Sequence, residues 1–148
     1  MIRFANKEDL TKEFFDLCYE GFLFHYEHRK DIFKNISIDV LKEHVLNQIK
    51  NDGLQILLIE ENNEIIGYLS YEIKEKVTKS LWIDEFVIKE KYRHNGYGTK
   101  LMNQVKEIAI KEKIDRIEFN CWSFNENALK FYRKLGYLEQ RIIFELKI

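Results

Sequence analysis

One stretch of the sequence, KYRHNGYGTKLM at residues 91–102, constrains the fold more than any other. It follows an apolar strand pattern, SLWIDEFVI (80–88), and it precedes a helix pattern that continues from Leu101. Glycines let backbone N–H groups turn inward, and a following helix adds unpaired N–H groups and the positive end of its dipole. The stretch therefore predicts a strand-to-helix turn that can bind an anion.

Two familiar nucleotide-binding loops do not fit this turn. A Walker loop requires GxxxxGK[ST], whereas the chain offers only GYGTK at 96–100. A dinucleotide fingerprint requires a small residue where Leu101 stands, and a strand–helix–strand unit near the start of the chain. A third pattern, Arg-x-x-Gly-x-Gly, is met by Arg93, Gly96 and Gly98. Taken alone, such a pattern indicates a tight turn without a ligand equally well.

The rest of the chain alternates between strand and helix patterns in a defined order. Strands are predicted at residues 2–4, 54–60, 64–74, 80–88, 115–122 and 138–148. Helices are predicted after caps at Asn6 and Ser37, from Leu101 onward, and at 125–136. This order predicts one domain over residues 1–148, with a mixed sheet and helices on both of its faces. The unit at 80–122 should be a parallel, right-handed crossover.

Composition and charge exclude several classes of function. The 148 residues are 45% hydrophobic and 33% charged, which is ordinary for a globular protein, and the net charge is −1. That charge gives no reason to expect nucleic acid or a membrane as partner. No secretory signal and no spanning apolar run is visible, so we expect a cytoplasmic protein. Cys18 and Cys121 form no CxxC pair, the histidines show no metal spacing, and we expect no metal.

A second motif, NENALKFYRKLGY at 125–137, changes the interpretation of the glycine loop. Together with FVIKEKYRHNGYGTKLM (86–102), it resembles the GNAT superfamily of acyl-CoA-dependent N-acetyltransferases, and the resemblance covers about residues 54–137. It implies an α/β (α+β) fold: a mixed, mostly antiparallel central sheet with helices on both faces and a splayed parallel strand pair. It also implies acetyl-CoA as co-substrate, a small-molecule or peptide amine as acceptor, and a monomer or homodimer.

The resemblance also implies which residues contact the coenzyme. The backbone N–H groups of residues 93–99 would cradle the pyrophosphate, and the pantetheine arm would lie beside the strand before the loop. His94 and Asn95 stand where the family often has Gly-Lys, so His94 either donates to phosphate or is an exposed bystander. The implied coenzyme contacts are Phe86, Val87, Ile88, Arg93, His94, Asn95, Gly96, Tyr97, Gly98, Thr99, Asn125 and Tyr132.

Acetyl transfer to an amine requires a base, an oxyanion donor and an acid for the leaving thiolate. Asp84 and Glu85 precede the splayed residues, and strand alternation would let at most one of them point into the site. Either can be the base, and either can instead be a solvated charge. A backbone N–H near Val87 is the expected oxyanion donor. By resemblance Tyr132 would protonate the sulfur, the alternative being a core aromatic.

The acceptor site is predicted within residues 20–36, EGFLFHYEHRKDIFKNI, an aromatic-rich connection between the first two helices. Its expected lining residues are Phe22, Phe24, His25, Tyr26 and Phe33. An equal alternative is that part of the stretch extends the first helix and the aromatics simply pack. Rival functions are a transferase for another acyl-CoA, a non-catalytic acyl-CoA sensor and, more remotely, a phosphate-binding regulator. The sequence does not specify the acceptor.

Overall fold

The computed structural model describes residues 1–148. The strands are β1 (Ile2–Phe4), β2 (Gln55–Glu61), β3 (Glu64–Glu75), β4 (Lys79–Ile88) and β5 (Arg116–Glu118). The helices are α1 (Lys12–His28), α2 (Ile38–Asn47), α3 (Tyr97–Lys111) and α4 (Glu126–Lys134), with 3-10 turns at Lys7–Asp9 and Glu90–Tyr92 and a π-turn at Gln48–Asp52. None of these helices has the combination of length and apolar character needed to cross a bilayer.

The five strands form one sheet in the order β1-β2-β3-β4-β5. All neighbouring pairs are antiparallel except β4 and β5, which are parallel. The parallel pair is joined only where Ser80–Trp82 faces Arg116–Glu118, so the remainder of β4 has no partner on that side. The predicted mixed, mostly antiparallel sheet and its splayed parallel pair are confirmed.

The two faces of the sheet carry separate apolar cores. On one face, α1 packs through Phe14, Leu17 and Cys18 against β2 and β3, and α2 adds partly buried apolar residues. On the other face, α3 packs through Leu101 and Val105, with α4 beside it. Both helical stripes agree with the sequence periodicity, and helices on both faces are confirmed. The sheet is thus held between two apolar layers.

The helix ends follow the predicted capping chemistry with one difference. Asn6 forms the predicted capping box with Asp9, but it caps a short 3-10 turn, and α1 begins only after a second cap at Thr11. Ser37 caps α2 as predicted, and Gly53 ends the π-turn after α2 in the left-handed conformation, with φ of 70°.

Three boundaries differ from the sequence predictions. The strand predicted at 115–122 is confined to β5, because the chain beyond Glu118 leaves the sheet. The strand predicted at 138–148 is wrong for this structure, since those residues form no ladder with any other strand. The connection predicted at 20–36 is largely helical, because α1 continues to His28.

Candidate active site

The glycine loop presents a run of backbone donors. Gly96 precedes α3 with φ of 80° and provides no side-chain cap, and His94 is also left-handed, with φ of 63°. None of the backbone N–H groups of residues 94–99 donates to another backbone group. These donors lie at the N-terminus of a 15-residue helix, whose dipole adds positive potential. The arrangement suits an anion such as a phosphate.

The side chains of Arg93 and Asn95 stabilise the loop through hydrogen bonds to backbone carbonyls. The Arg93 guanidinium donates from Nε to the carbonyl of Ile88 at 2.8 Å and lies 3.8 Å from Glu20 of α1. Asn95 donates from its side-chain amide to the carbonyls of Tyr92 and Arg93. Asn95 therefore braces the loop internally, and Arg93 ties it to the end of β4.

A β-bulge in β4 sets the direction of two carboxylates. Ser70 is opposite Glu85 and Tyr71 is opposite Ile83, so Asp84 has no opposite residue in β3. The extra residue reverses the alternation beyond it, so that Val87 packs with α1 while Ile88 packs with α3. Strict alternation was expected to point Asp84 and Glu85 to opposite faces. That expectation is wrong because the bulge turns both toward the α1–α2 layer.

The two carboxylates nevertheless lie in different surroundings. Asp84 is exposed and accepts a hydrogen bond from Gln48 at 3.3 Å. Glu85 is partly buried beneath α1, where Gly21 lets the helix approach; a Cβ on Gly21 would lie 2.8 Å from Val87 and 4.0 Å from the Glu85 carboxylate. Burial, and secondarily the charge of Asp84, raise the pKa of Glu85 to about 7. Glu85 can therefore exchange a proton near neutral pH.

Tyr132 lies on α4 in an aromatic pocket beside the unpaired part of β4. Its ring centroid is 4.4 Å from that of Phe119 and 6.4 Å from that of Phe86. Burial raises the pKa of Tyr132, and the charges of Cys121 and Glu85 raise it further. The phenol is therefore held protonated, close enough to Glu85 to be affected by its charge.

Asn125 has a structural role of its own at the start of α4. Its side-chain oxygen accepts a hydrogen bond from the backbone N–H of Ala128 at 3.2 Å, so it caps the helix. The amide nitrogen of Asn125 donates no side-chain hydrogen bond within the chain.

A cluster of aromatic rings extends from α1 to the segment that follows β5. The ring of His25 lies 6.1 Å from Phe33, which lies 5.6 Å from Trp122. The ring of His28 stacks on Phe124 at 4.6 Å with an interplanar angle of 6°. We call this cluster the aromatic wall. Its residues are Phe24, His25, His28, Phe33, Trp122 and Phe124.

Sequence reasoning found only part of the aromatic wall. Phe24, His25 and Phe33 belong to it. Phe22 borders it, with its ring centroid 6.5 Å from that of Phe33, and Tyr26 stacks on Phe22 at 6.0 Å. His28, Trp122 and Phe124 were missed. The signal for the last two was the sequence CWSF (121–124), two aromatics directly after a strand and before the second motif.

The surroundings of His25 favour its neutral imidazole form. Burial lowers the pKa of His25, and the neighbouring charge of His28 lowers it further. His25 lies one helical turn beyond Gly21, the residue that faces Glu85. The aromatic wall and the Glu85 carboxylate therefore lie next to the same region of the protein. No group of three or more His, Cys, Asp or Glu side chains is placed to hold a metal ion.

Comparison with known proteins agrees with this geometry. The model of the acetyltransferase (GNAT) family matches residues 9–137. The uncharacterized protein YdhI of Bacillus subtilis (strain 168) is 34% identical over 79 residues, which is 53% of this chain and 46% of that protein. L-ornithine N5-acetyltransferase NATA1 of Arabidopsis thaliana is 31% identical over 58 residues, 39% of this chain and 25% of that protein. The match to YdhI thus spans about half of that relative's length.

A solved structure shows the same architecture over the whole chain. The tetramutant of BH1408 protein from Bacillus halodurans aligns with a TM-score of 0.91 at 22% identity, covering 100% of this chain and 99% of that chain. This correspondence is one of fold. The family model covers most of the sequence, including both motifs that suggested the resemblance. The chain therefore belongs to the GNAT acetyltransferase family.

Proposed function

We propose that this protein is an N-acetyltransferase that moves an acetyl group from acetyl-CoA to the primary amine of a small molecule by direct attack. One observation carries the proposal: Glu85 lies within the unpaired stretch of β4, and the free N–H groups of residues 94–99 lie in the loop that follows the C-terminal end of that stretch. The loop end suits an anionic diphosphate. The Glu85 end suits an amine that must lose a proton.

The cradle for the diphosphate is assigned to the N–H groups of residues 94–99. The N–H of Arg93 is excluded, because it already donates to the carbonyl of Glu90 at 3.1 Å. The backbone of His94 is left-handed, and this conformation turns its N–H group to the same side as the N–H groups of the residues that follow. Asn125 is assigned a further contact through its free amide nitrogen.

The pantetheine arm is assigned to the unpaired edge of β4. The N–H of Lys89 donates to Ile66 of β3, and successive N–H groups of a strand alternate in direction. The N–H groups of Phe86 and Ile88 therefore point into the splay, whereas that of Val87 points toward β3. Pantetheine carries two amides and can pair with such an edge as a short peptide does.

Glu85 is the proposed general base, and the negative charge of the adjacent Asp84 influences its pKa. A primary alkylamine has a pKa of about 10.4, so most of it is protonated at neutral pH. A carboxylate with a pKa near 7 is matched to accept that proton, directly or through a water molecule. Asp84 is exposed and hydrogen-bonded to Gln48, so its contribution is to raise the pKa of Glu85.

The remaining chemical roles are assigned to Phe86 and Tyr132. The N–H of Phe86 is adjacent to Glu85 and faces the splay, so it can stabilise the developing oxyanion. The expected donor was a backbone N–H near Val87, and the proposed donor is the N–H one residue earlier. Tyr132 borders the same stretch of β4 through its contact with Phe86, and its raised pKa keeps the phenol ready to protonate the departing thiolate.

The acceptor is proposed to bind between the aromatic wall and the carboxylates. Aromatic faces attract ammonium groups, and the charges of Asp84 and Glu85 add to that attraction. The neutral His25 adds no opposing charge. The name of NATA1 describes acetylation of an amino-acid amine, which is a substrate of this kind. A small aliphatic amine is therefore the class of acceptor that we propose.

The proposal is tested by thiol release from acetyl-CoA in the presence of a panel of primary amines. We expect release that depends on the amine, with an equal amount of N-acetylated product detected by mass spectrometry. Binding of acetyl-CoA without amine-dependent release would instead support the non-catalytic sensor. Faster turnover of propionyl-CoA or succinyl-CoA would assign the enzyme a different acyl donor.

A further inference from the structure

A carboxylate at the start of β3 connects the glycine loop to the sheet. Glu64 is the first residue of β3 and follows the turn that joins β2 to β3. Its carboxylate accepts a hydrogen bond from the hydroxyl of Tyr92 at 2.6 Å. Tyr92 ends the 3-10 turn Glu90–Tyr92, two residues before His94 begins the run of free N–H groups. The bond therefore joins the sheet to the residue that leads into the proposed diphosphate cradle.

Two lysine side chains lie beside the same carboxylate. Lys89 Nζ is 3.0 Å from Oε1 of Glu64 and Lys91 Nζ is 3.1 Å from it, while the Tyr92 hydroxyl bonds to Oε2. Hydrogen bonds from Tyr92, Lys89 and Lys91 lower the pKa of Glu64 to about 2. The carboxylate is therefore charged near neutral pH, and the adjacent lysines limit its repulsion of an anion at the loop.

Tyr92 contacts residues on both sides of the cradle. Its N–H donates to the carbonyl of Lys89 at 2.9 Å, and its carbonyl accepts from the side-chain amide of Asn95 at 3.3 Å. Its ring packs edge-on against Tyr97, the first residue of α3, with centroids 6.1 Å apart and an interplanar angle of 82°. A change in the position of Tyr92 would therefore be passed to the loop and to the start of α3.

The turn between β2 and β3 also lies next to Tyr97. Glu61 ends β2, and it lines a cavity of about 350 Å³ together with Tyr97 and Lys100. Burial raises the pKa of Tyr97, and the charge of Glu61 raises it further. The carboxylates on the two sides of this turn, Glu61 and Glu64, therefore lie beside the two tyrosines that flank the cradle.

The cradle has few hydrogen bonds of its own to fix its shape. The N–H groups of residues 94–99 donate to no backbone acceptor, and His94 has a φ of 63°, which is unfavourable for a residue with a side chain. Arg93 and Asn95 bond to carbonyls of residues 88–93, within the same segment. The bond from Tyr92 to Glu64 instead goes to a different strand, so it fixes the segment relative to β3.

We propose that Glu64 is a positioning residue for the coenzyme: through the hydroxyl of Tyr92, it keeps the N–H groups of residues 94–99 in the geometry that binds a diphosphate. Donors that are already in place lose less conformational freedom when the ligand binds, so the affinity is higher. Glu64 acts on coenzyme binding and not on the proton transfers assigned to Glu85 and Tyr132. This role rests on the proposed function, because it requires acetyl-CoA at the loop.

Tyr92→Phe removes the hydroxyl and keeps the ring that packs against Tyr97. Calorimetric titration with acetyl-CoA should show binding about tenfold weaker than in the wild type. The KM for acetyl-CoA should rise by a similar factor, while kcat at saturating acetyl-CoA stays near the wild-type value. A tyrosine with only a structural role would lower Tm and leave the affinity of the folded protein unchanged. Equal affinity in Tyr92→Phe and the wild type would overturn the proposal.

Variants of Glu64 test whether the effect depends on the bond to Tyr92. Glu64→Ala should also weaken acetyl-CoA binding about tenfold, whereas Glu64→Gln keeps an oxygen that can accept from Tyr92 and should retain most of the affinity. The double variant Glu64→Ala with Tyr92→Phe should bind as Glu64→Ala does, because both changes remove the same bond. A double variant about a hundredfold weaker than the wild type would show independent effects and refute the proposal.

Glu13→Ala is the matched control. Glu13 lies 3.0 Å from the same Lys89 ammonium but accepts no hydrogen bond from Tyr92, so this variant should bind acetyl-CoA as the wild type does. An affinity as low as that of Glu64→Ala would assign the effect to Lys89 and overturn the role of Tyr92. A wild type that fails to bind acetyl-CoA would refute the proposed function as well. Wild-type binding and turnover, with equal affinity in the Glu64 and Tyr92 variants, would refute only the positioning role.

Discussion

The backbone N–H of Glu85 donates to the hydroxyl of Ser70 across 3.2 Å, at the point where the β3–β4 ladder slips by one residue. Ser70 is 3% exposed, so its removal would leave that N–H without its acceptor in the interior. We expect Ser70→Ala to lower the free energy of unfolding by about 1–2 kcal/mol. Urea unfolding of both proteins measures the change. An unchanged midpoint would mean that the bulge does not depend on this bond.

The glycine loop can be tested with a charge placed in the cradle. Gly96→Glu should lower the affinity for acetyl-CoA at least about tenfold, because a carboxylate would oppose the diphosphate among the free N–H groups. Gly53→Glu is the matched control. Gly53 has φ of 70° against 80° for Gly96, and neither glycine has an atom within 4 Å of an added Cβ. The two variants therefore introduce similar backbone strain.

Calorimetric titration with acetyl-CoA separates the two glycine variants. We expect the Gly53→Glu protein to bind as the wild type does. Equal affinity in both variants would remove the coenzyme from the loop, whatever the effect on stability.

Tyr132 and Tyr137 form a second matched pair. Both are aromatic neighbours of Phe119, and burial raises the pKa of both. If Tyr132 is the general acid, Tyr132→Phe should lower kcat about 100-fold while acetyl-CoA affinity changes little. Tyr137→Phe should leave kcat near the wild-type value. Measurement of kcat and Tm on each preparation decides the assignment, and full activity of Tyr132→Phe would leave Tyr132 a core aromatic.

Local sequence signals predicted the helix caps, most strand positions and the glycine loop. Asn6, Ser37 and Gly53 act through bonds with their immediate neighbours, so their roles are visible in short patterns. The bulge at Asp84 was not predicted, because one inserted residue leaves no periodic signature. Its consequence was an incorrect expectation for the directions of Asp84 and Glu85.

The other differences depend on tertiary contacts. Trp122 and Phe124 join the aromatic wall only because the chain leaves the sheet after β5 and meets α1. The alternating pattern of residues 138–148 is that of a strand, but a strand needs a neighbour, and none pairs with it within this chain. The residue pattern and the strand propensity show that a segment can form a strand. Whether it joins a sheet also depends on a neighbouring strand in the right position.

Glu85 should reduce stability as it ionises. Its pKa rises from an ordinary value of 4.5 to about 7 on folding, so the folded state binds the proton more tightly. Stability should therefore fall as pH rises from about 4.5 to about 7. Glu85→Gln removes this titration, and above neutral pH its free energy of unfolding should exceed that of the wild type by about 3 kcal/mol. Chemical unfolding at pH values on both sides of this range measures the difference. A constant difference across the range would contradict the raised pKa.

The role of Glu85 as general base is tested by the pH dependence of kcat/KM for amine acetylation by the wild type, Glu85→Gln and Asp84→Asn. We expect the wild-type rate to fall as pH drops below about 7, where Glu85 becomes protonated. Glu85→Gln should lose this inflection and be slower near neutral pH, recovering as the amine itself deprotonates. Asp84→Asn should retain the inflection at a lower pH, because the neighbouring charge is gone. An unchanged profile in Glu85→Gln would contradict the assignment of Glu85 as the base.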